Sequence, residues 1–371
     1  MAATETLSRA ALGRATLARQ MLLRRERTTV PAAIERLLAL QAQWPRPPFV
    51  GLWTRVEGFE RSQLTVPPQK RKVLRAHVRA RDPAHGDRPR LRGPAVRAAA
   101  DAGRGPGGGP CATGRAASMR AVSWPRRADS RRTDPGRSRR LRARLAKDDP
   151  KGNARAMGYA VRMSLPLVQV PGGGHGPSPP TSSFAAAEDW LGRKVPADRE
   201  PPDALVLRYL AGYGPASVAD MQAWTGFRSL RETVEARASA RLRAFRDGKG
   251  REVFDLPDAP PARRGRARAR CGCCPEYDNV ITARTDDRFV ATADRPRVYL
   301  SALRIAATVL VDGQVSGTWK VERKKTGGHA RGHALLRRSL GRRSSRVEAE
   351  GDALLRFAEP DATVRDVRFA K

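Results

Sequence analysis

The stretch Leu38–Trp53 reads LALQAQWPRPPFVGLW, and the interpretation of the chain turns on how it ends a helix. Upstream, Thr29 is a side chain suited to an N-cap and Pro31 fits a first turn, so the pattern predicts a helix from about Pro31 to Gln43, closed by Trp44-Pro45. On such a helix Ile34, Leu37, Leu38 and Gln41 stand at i, i+3, i+4 and i+7 and share one face. Gln41 then terminates an apolar stripe, with Gln43 just beyond it. An amide left unpaired in that position costs about 1–3 kcal/mol, so it must meet the protein, water or a ligand. A glutamine bonding a loop carbonyl and a glutamine aimed at a ligand both meet that demand.

Composition narrows the partners. The chain has 371 residues, enough for two or three domains with their own cores. Its 72 Lys and Arg against 37 Asp and Glu leave a net charge of +35, which favours a polyanion such as nucleic acid. No apolar run approaches the roughly 20 residues needed to span a bilayer, and MAATETLSRA lacks a signal-peptide core, so a cytoplasmic, nucleoid-associated protein with no membrane contact is expected. The four cysteines, Cys111, Cys271, Cys273 and Cys274, form no spaced framework. CGCC holds one C-x-x-C without a second ligand pair, so reduced thiols are expected, with no metal and no cofactor.

Further along, DALVLRYLAGYG reads as a helix ending at glycine, PASVADMQAWTG as a second helix with Ser217 as N-cap, and FRSLRETVEARAS as a third with a capping box of Ser229 and Glu232. RLRAFRDGKGREVFDL follows as two short strands around the turn Asp247-Gly248-Lys249-Gly250. Three helices and a hairpin are the order of a winged helix, whose third helix commonly enters the major groove. Arg228 and Arg231 on that helix, with Lys249 and Arg251 on the wing, are basic where phosphates would lie; a solvated face of a packing module is the alternative. From Pro275 onward the chain is β-rich. IAATVLVDGQVSGTWKVERKK is a hairpin about Asp312-Gly313, and SSRVEAEGDALLRF a helix with Val347, Leu354 and Leu355 on its apolar side.

Between Arg71 and Pro150 the character changes, with 20 arginines, 7 aspartates, no Ile, Phe or Tyr, and Trp124 as the single aromatic. Such a stretch buries too little apolar surface to offset ordering entropy, so disorder or misfolding is expected there. One reading is a basic linker that wraps nucleic acid. Another is a shifted reading frame. Moving one nucleotide forward through Ala84–Arg92, through Gly328–Leu335 and at Cys271–Cys274 permits β-like peptides in all three places. On that reading His85, His329, His333, the Cys271–Cys274 cluster and much of the positive excess are frame artefacts.

With these segments in hand, the chain resembles the actinobacterial winged-helix DNA-binding proteins related to the AlkZ-like DNA glycosylases. The resemblance rests on LSRAALGRATLARQMLL, LLALQAQWPRPPFVGLW, PLVQVP, AAEDWLGR, LVLRYLAGYGPASVADMQAWTGF, FRDGKGREVFDLPDAP, PEYDN and RVYLSALRIAATVLVDGQVSGTWKVER. It implies an α+β fold of tandem winged-helix units with a C-terminal β-rich unit, forming a concave basic surface for double-stranded DNA. The expected domains are 1–70, carrying the Gln-x-Gln motif, an aberrant Arg/Pro/Gly-rich 71–155, a winged helix over 156–260 and a β-rich unit over 261–371.

The resemblance also implies that Gln41 and Gln43 are the catalytic pair. The expected activity is monofunctional hydrolysis of the N-glycosidic bond of cationic N7-alkylated purines. A non-catalytic winged-helix DNA-binding or regulatory protein and a degenerate, frameshifted relative are the alternatives.

Overall fold

Ser8 begins the first helix by accepting a hydrogen bond from the Ala11 N–H at 3.2 Å, and Arg9–Arg19 then buries Leu12 and Leu17. The structure is a computed structural model that describes residues 5–42, 44–64, 73–77, 94–98, 153, 167–170, 183–192, 202–227, 229–235, 241–259, 270–301, 304–323, 329–336 and 344–370. The chain divides into two units, Met1–Leu64 with Pro202–Lys371, and Thr65–Pro201. Among the described residues no helix is long and apolar enough to cross a membrane.

In the first unit the helices Pro202–Tyr213, Val218–Thr225 and Leu230–Thr233 pack around Val206, Tyr209, Leu210, Met221 and Val234. The strands Arg243–Asp247 and Glu252–Asp255 follow as an antiparallel hairpin, and Thr6–Leu7 adds a parallel edge to it. The capping box belongs to a different helix from the one expected. Ser217 Oγ accepts from Asp220 N at 3.2 Å while Asp220 Oδ2 accepts from Ser217 N at 3.1 Å. Ser229 has φ −112° and ψ 48°, outside the extended backbone that Ser8, Thr29 and Ser217 adopt as caps, and makes no side-chain cap bond.

The C-terminal half forms a five-stranded sheet in the order Val364–Ala370, His329–Leu336, Gln314–Arg323, Thr308–Val311, Gly272–Cys274. Its hairpin turns at Asp312 (φ 50°) and Gly313 (φ 80°), the doubly left-handed geometry that an Asp-Gly pair supplies. Val364–Ala370 runs parallel to His329–Leu336, and the Ser344–Ala358 helix is the crossover between them. That helix buries Val347, Leu354 and Leu355, as its pattern predicts. Val347 packs with Cys271, Val309 and Val311, and Leu354 with Val50 and Cys273.

Cys271–Cys274 are therefore core residues of one edge of this sheet. Burial pushes the Cys273 and Cys274 thiols well above their ordinary range, and raises Cys271 to about 11. No group of three or more possible metal ligands is assembled among the described residues.

In the second unit Val73–His77, Pro94–Ala98, Leu167–Val170 and Ser183–Ala186 pair antiparallel, with Val73–His77 between Pro94–Ala98 and Leu167–Val170. The short helix Ala187–Leu191 ends at Gly192 in a left-handed conformation (φ 67°). Leu74, Val168, Ala185, Ala187 and Trp190 form its apolar cluster. The expectation of disorder or misfolding between Arg71 and Pro150 does not hold at two places, the strands Val73–His77 and Pro94–Ala98. The two strands pair with each other, from Val73 opposite Ala98 to His77 opposite Pro94, Ala76 also pairs with Val168, and Leu74 finds apolar partners in Val168 and Trp190, which a window confined to 71–150 does not contain.

At the centre of the first unit Arg55 and Asp278 form a bidentate pair at 2.9 and 2.7 Å, with side chains 0% and 1% exposed. Burial by itself would lower the Arg55 pKa, but the Asp278 carboxylate outweighs it and holds the guanidinium charged. Replacing Asp278→Ala strands a buried cation and is expected to cost about 3–5 kcal/mol in urea unfolding. A loss below about 1 kcal/mol contradicts this account of the pair. In the native chain Ellman's reagent at pH 8 is expected to leave Cys271, Cys273 and Cys274 unmodified, so that at most one thiol, Cys111, reacts, and to label all four once denaturant is added; rapid labelling of more than one thiol without denaturant overturns their burial.

Candidate functional site

The helix that was expected to deliver Gln41 stops well short of it. Thr29 caps it and Pro31 sits in its first turn, but it spans only Val30–Arg36, and Leu38 takes a left-handed conformation (φ 61°). A leucine held there costs roughly 1–3 kcal/mol, so its surroundings must impose it. They do so at three successive residues. Tyr213 Oη donates to the Leu37 carbonyl at 2.7 Å. Leu38, 2% exposed, is drawn into the cluster of Leu205, Leu210 and Tyr213. Asn279 Nδ2 donates to the Ala39 carbonyl.

Gly212 lets the Pro202–Tyr213 helix come this close, since a Cβ there would stand 2.9 Å from both the Arg36 carbonyl and Leu38 Cδ1. Past the clamp the chain is extended. Leu40 is 5% exposed and Ala42 1%, with the half-buried Gln41 between them on the two-residue strand Leu40–Gln41. The residues around Gln41 thus follow a period of 2 where a period of 3.6 was expected, and Gln41 is no member of the Ile34–Leu37 face. No hydrogen bond joins the Gln41 side chain to another residue among those described. Gln43 lies outside the described residues. Trp44 follows at 56% exposure, and Pro47–Trp53 forms the next helix.

Tyr213 and Asn279 belong to well-anchored elements. Tyr213 is the last residue of the Pro202–Tyr213 helix and stacks on Tyr209, with ring centroids 5.2 Å apart. Asn279 opens the short helix Asn279–Thr282, whose N-cap Asp278 accepts from Val280 N at 2.9 Å while pairing with Arg55. The loop bearing Gln41 is therefore held from two sides by residues that spacing around the glutamines does not reveal.

The basic residues expected to face DNA are, where described, each engaged by an acidic side chain. Arg228 lies outside the described residues. Arg231 pairs with Glu235 at 3.0 Å, Lys249 with Asp287 at 3.1 Å and Arg251 with Asp247 at 2.7 Å. Asp247 also accepts from Lys249 N at 2.8 Å and Arg251 N at 2.9 Å, closing the hairpin turn. Burial opposes the Asp247 charge, but these amide bonds and Arg251 outweigh it and hold the carboxyl below its usual range. Each described cation of this set thus carries its own carboxylate.

A family model described as DNA glycosylase AlkZ-like matches residues 34–357. Among solved structures, the Streptomyces sahachiroi DNA glycosylase AlkZ superposes with a TM-score of 0.65 at 16% sequence identity, with 98% of this chain and 100% of that chain covered. At that identity the likeness is one of fold. No curated protein matches the chain.

Tyr213→Phe removes the donor to the Leu37 carbonyl and leaves that acceptor buried, at an expected cost of about 1–3 kcal/mol. Native-state hydrogen exchange is expected to quicken at residues 38–42 and to stay unchanged in the Ser344–Ala358 helix. Uniform or absent changes would falsify the clamp.

Proposed function

This chain belongs to the AlkZ-like DNA glycosylase family, whose model spans residues 34–357, and we propose that it hydrolyses the N-glycosidic bond of N7-alkylated purines in duplex DNA. The observation that carries the reading is Gln41, an amide without a described protein partner, on a loop clamped at Leu37 and Ala39. Such a group is oriented by its backbone and its polar atoms are open to a ligand.

The chemistry suits an amide. An N7-alkylated purine is already cationic, so the leaving group needs little protonation. What remains is to place a water at C1′ and to stabilise the oxocarbenium-like sugar as the bond breaks. The carbonyl oxygens of Gln41 and Gln43 accept from that water and face the developing positive charge, while their NH₂ groups donate to backbone or DNA. Glutamine does not titrate and is a poor general base, so the activity is confined to labile cationic lesions.

In this reading the helices Pro202–Tyr213, Val218–Thr225 and Leu230–Thr233 with the Arg243–Asp255 hairpin serve as a winged helix. Arg228, Arg231, Lys249 and Arg251 face the duplex, the last three exchanging Glu235, Asp287 and Asp247 for phosphates as DNA arrives. No metal or small-molecule cofactor enters the reaction as proposed.

A second reading, a DNA-binding relative without catalysis, is favoured by the Arg-rich composition of 71–150, which falls inside the family match. Resequencing the encoding DNA across codons 70–155 and 260–345 tests its frameshifted form: single-nucleotide indels support it, and an intact frame removes it.

Single-turnover release of 7-methylguanine from an alkylated duplex separates the main readings. Gln41→Ala and Gln43→Ala are each expected to slow release by about 100-fold or more with duplex affinity kept. Native base release that neither substitution slows sinks the glutamine mechanism, and a native chain that binds but releases nothing supports the second reading. Release of unmodified purines as fast as alkylated ones contradicts the confinement to cationic lesions.

A further inference from the structure

At the end of the Ser344–Ala358 helix four arginines from four separate segments gather, two on the Glu359 carboxylate and two on backbone carbonyls. Glu359 has a side chain 4% exposed; Arg46 Nη1 lies 3.1 Å from its Oε1, and Arg323 Nε 3.6 Å from its Oε2. Arg365 donates to the Glu359 carbonyl through Nε at 3.2 Å and Nη2 at 3.0 Å, and to the Pro360 carbonyl at 2.6 Å. Arg61 donates to the Ala358 carbonyl, with its guanidinium 5.4 Å from the centre of the Phe357 ring.

The helix end accounts for part of this. Its last carbonyls need donors and its dipole favours cations, and Arg61 and Arg365 meet both needs. It does not account for Arg46 and Arg323, whose side chains are 63% and 51% exposed while the carboxylate they share is buried. Each guanidinium presents five N–H donors in a planar fork, so a single edge held by Glu359 leaves others turned to solvent.

Charge points the same way. Two guanidiniums, Arg46 and Arg323, share one buried carboxylate here. Asp361, exposed two residues on, is the nearest further acid in sequence, and Glu322 is engaged by Lys320 at 2.5 Å. Around Arg231, Lys249 and Arg251 each cation has its own carboxylate; Arg46 and Arg323 share a single one. Arg46 lies three residues past Gln43, within about 11 Å of chain reach.

We propose that Arg46 and Arg323, held in place by Glu359, form a phosphate-binding surface that grips the backbone of duplex DNA beside the Gln41–Gln43 loop. Naming DNA as the polyanion rests on the glycosylase reading; the surface itself rests on the Glu359 cluster. Fixing the two forks in advance reduces the side-chain ordering that binding would otherwise require. Paired guanidinium forks also suit phosphate oxygens, which accept two parallel N–H bonds.

The test is the salt dependence of binding. The full chain is titrated against an unmodified fluorescent duplex across roughly 50–200 mM salt, and the slope of log affinity against log salt is read. Arg46→Gln and Arg323→Gln are each expected to lower the slope by about 1, and the double variant by about 2. Arg297→Gln, which removes the same charge from the exposed face of the Arg295–Val298 helix, is the control for net charge. Arg46→Lys is expected to keep the slope while weakening binding, since it retains charge and loses the fork.

Thermal melts report on folding, and should Arg46→Gln fail to fold, Arg323→Gln carries the same prediction. A double variant whose slope matches that of Arg297→Gln overturns the proposal. So does a native chain that ignores the duplex or prefers a single-stranded RNA probe. Undiminished base release by Gln41→Ala defeats the catalytic reading and leaves the slope result standing, whereas normal slopes with lost release by Gln41→Ala defeat this surface alone.

Discussion

The buried pair of Arg55 and Asp278 is the joint on which the first unit depends. Arg55 follows the Pro47–Trp53 helix and gives its remaining donors to the Gln20 carbonyl at 3.0 Å and the Gly51 carbonyl at 3.1 Å. Asp278 caps the helix that carries Asn279. One ion pair therefore ties the end of the Arg9–Arg19 helix, the Pro47–Trp53 helix and the residue that holds Ala39. Two unpaired charges in so dry a place would each cost several kcal/mol, so the pair defines the register between these elements more than it adds net stability. The loop bearing Gln41 inherits its position from that register.

A second polar network braces the neighbouring region. Arg284 and Arg288 are 8% and 2% exposed, and both donate to the Pro215 carbonyl and to Thr16 Oγ1. Asp220 accepts from Thr285 N at 2.8 Å and Oγ1 at 2.7 Å. Burial would raise the Asp220 pKa, but Arg284 and the two Thr285 bonds outweigh it and keep the carboxylate charged. The three-helix cluster is thereby fastened to the first helix by hydrogen bonds as well as by apolar contact.

Local chemistry was legible in the sequence and distant chemistry was not. Thr29, Pro31, Ser217 and the Asp312-Gly313 turn act within a few residues of themselves, and each is where its residue type places it. Val347, Leu354 and Leu355 obey helical spacing because all three are buried on one helix, Val347 and Leu354 against the sheet strand Gly272–Cys274 and its neighbours. The reading of Leu38 to Gln41 failed because Leu38 leaves the helix for partners about 170 residues away in sequence, which no period encodes. Leu40, Gln41 and Ala42 did carry the period-2 alternation of an extended segment, but a run that short is also compatible with a helix. Glu359 was invisible for a similar reason, since its significance comes from arginines at 46, 61, 323 and 365 that only the fold brings together.

The first unit is assembled from the two ends of the chain, Met1–Leu64 and Pro202–Lys371. Thr6–Leu7 finds its strand partner at Arg246–Asp247, and Arg55 finds Asp278 223 residues later. At a synthesis rate of 5–20 residues per second, Arg55 emerges from the ribosome roughly 10–45 s before its counterion exists. During that interval the apolar faces of Arg9–Arg19 and Pro47–Trp53 have no native surface to cover them. The order of synthesis thus leaves the N-terminal apolar faces open longest, the kind of transient exposure that holding chaperones shelter.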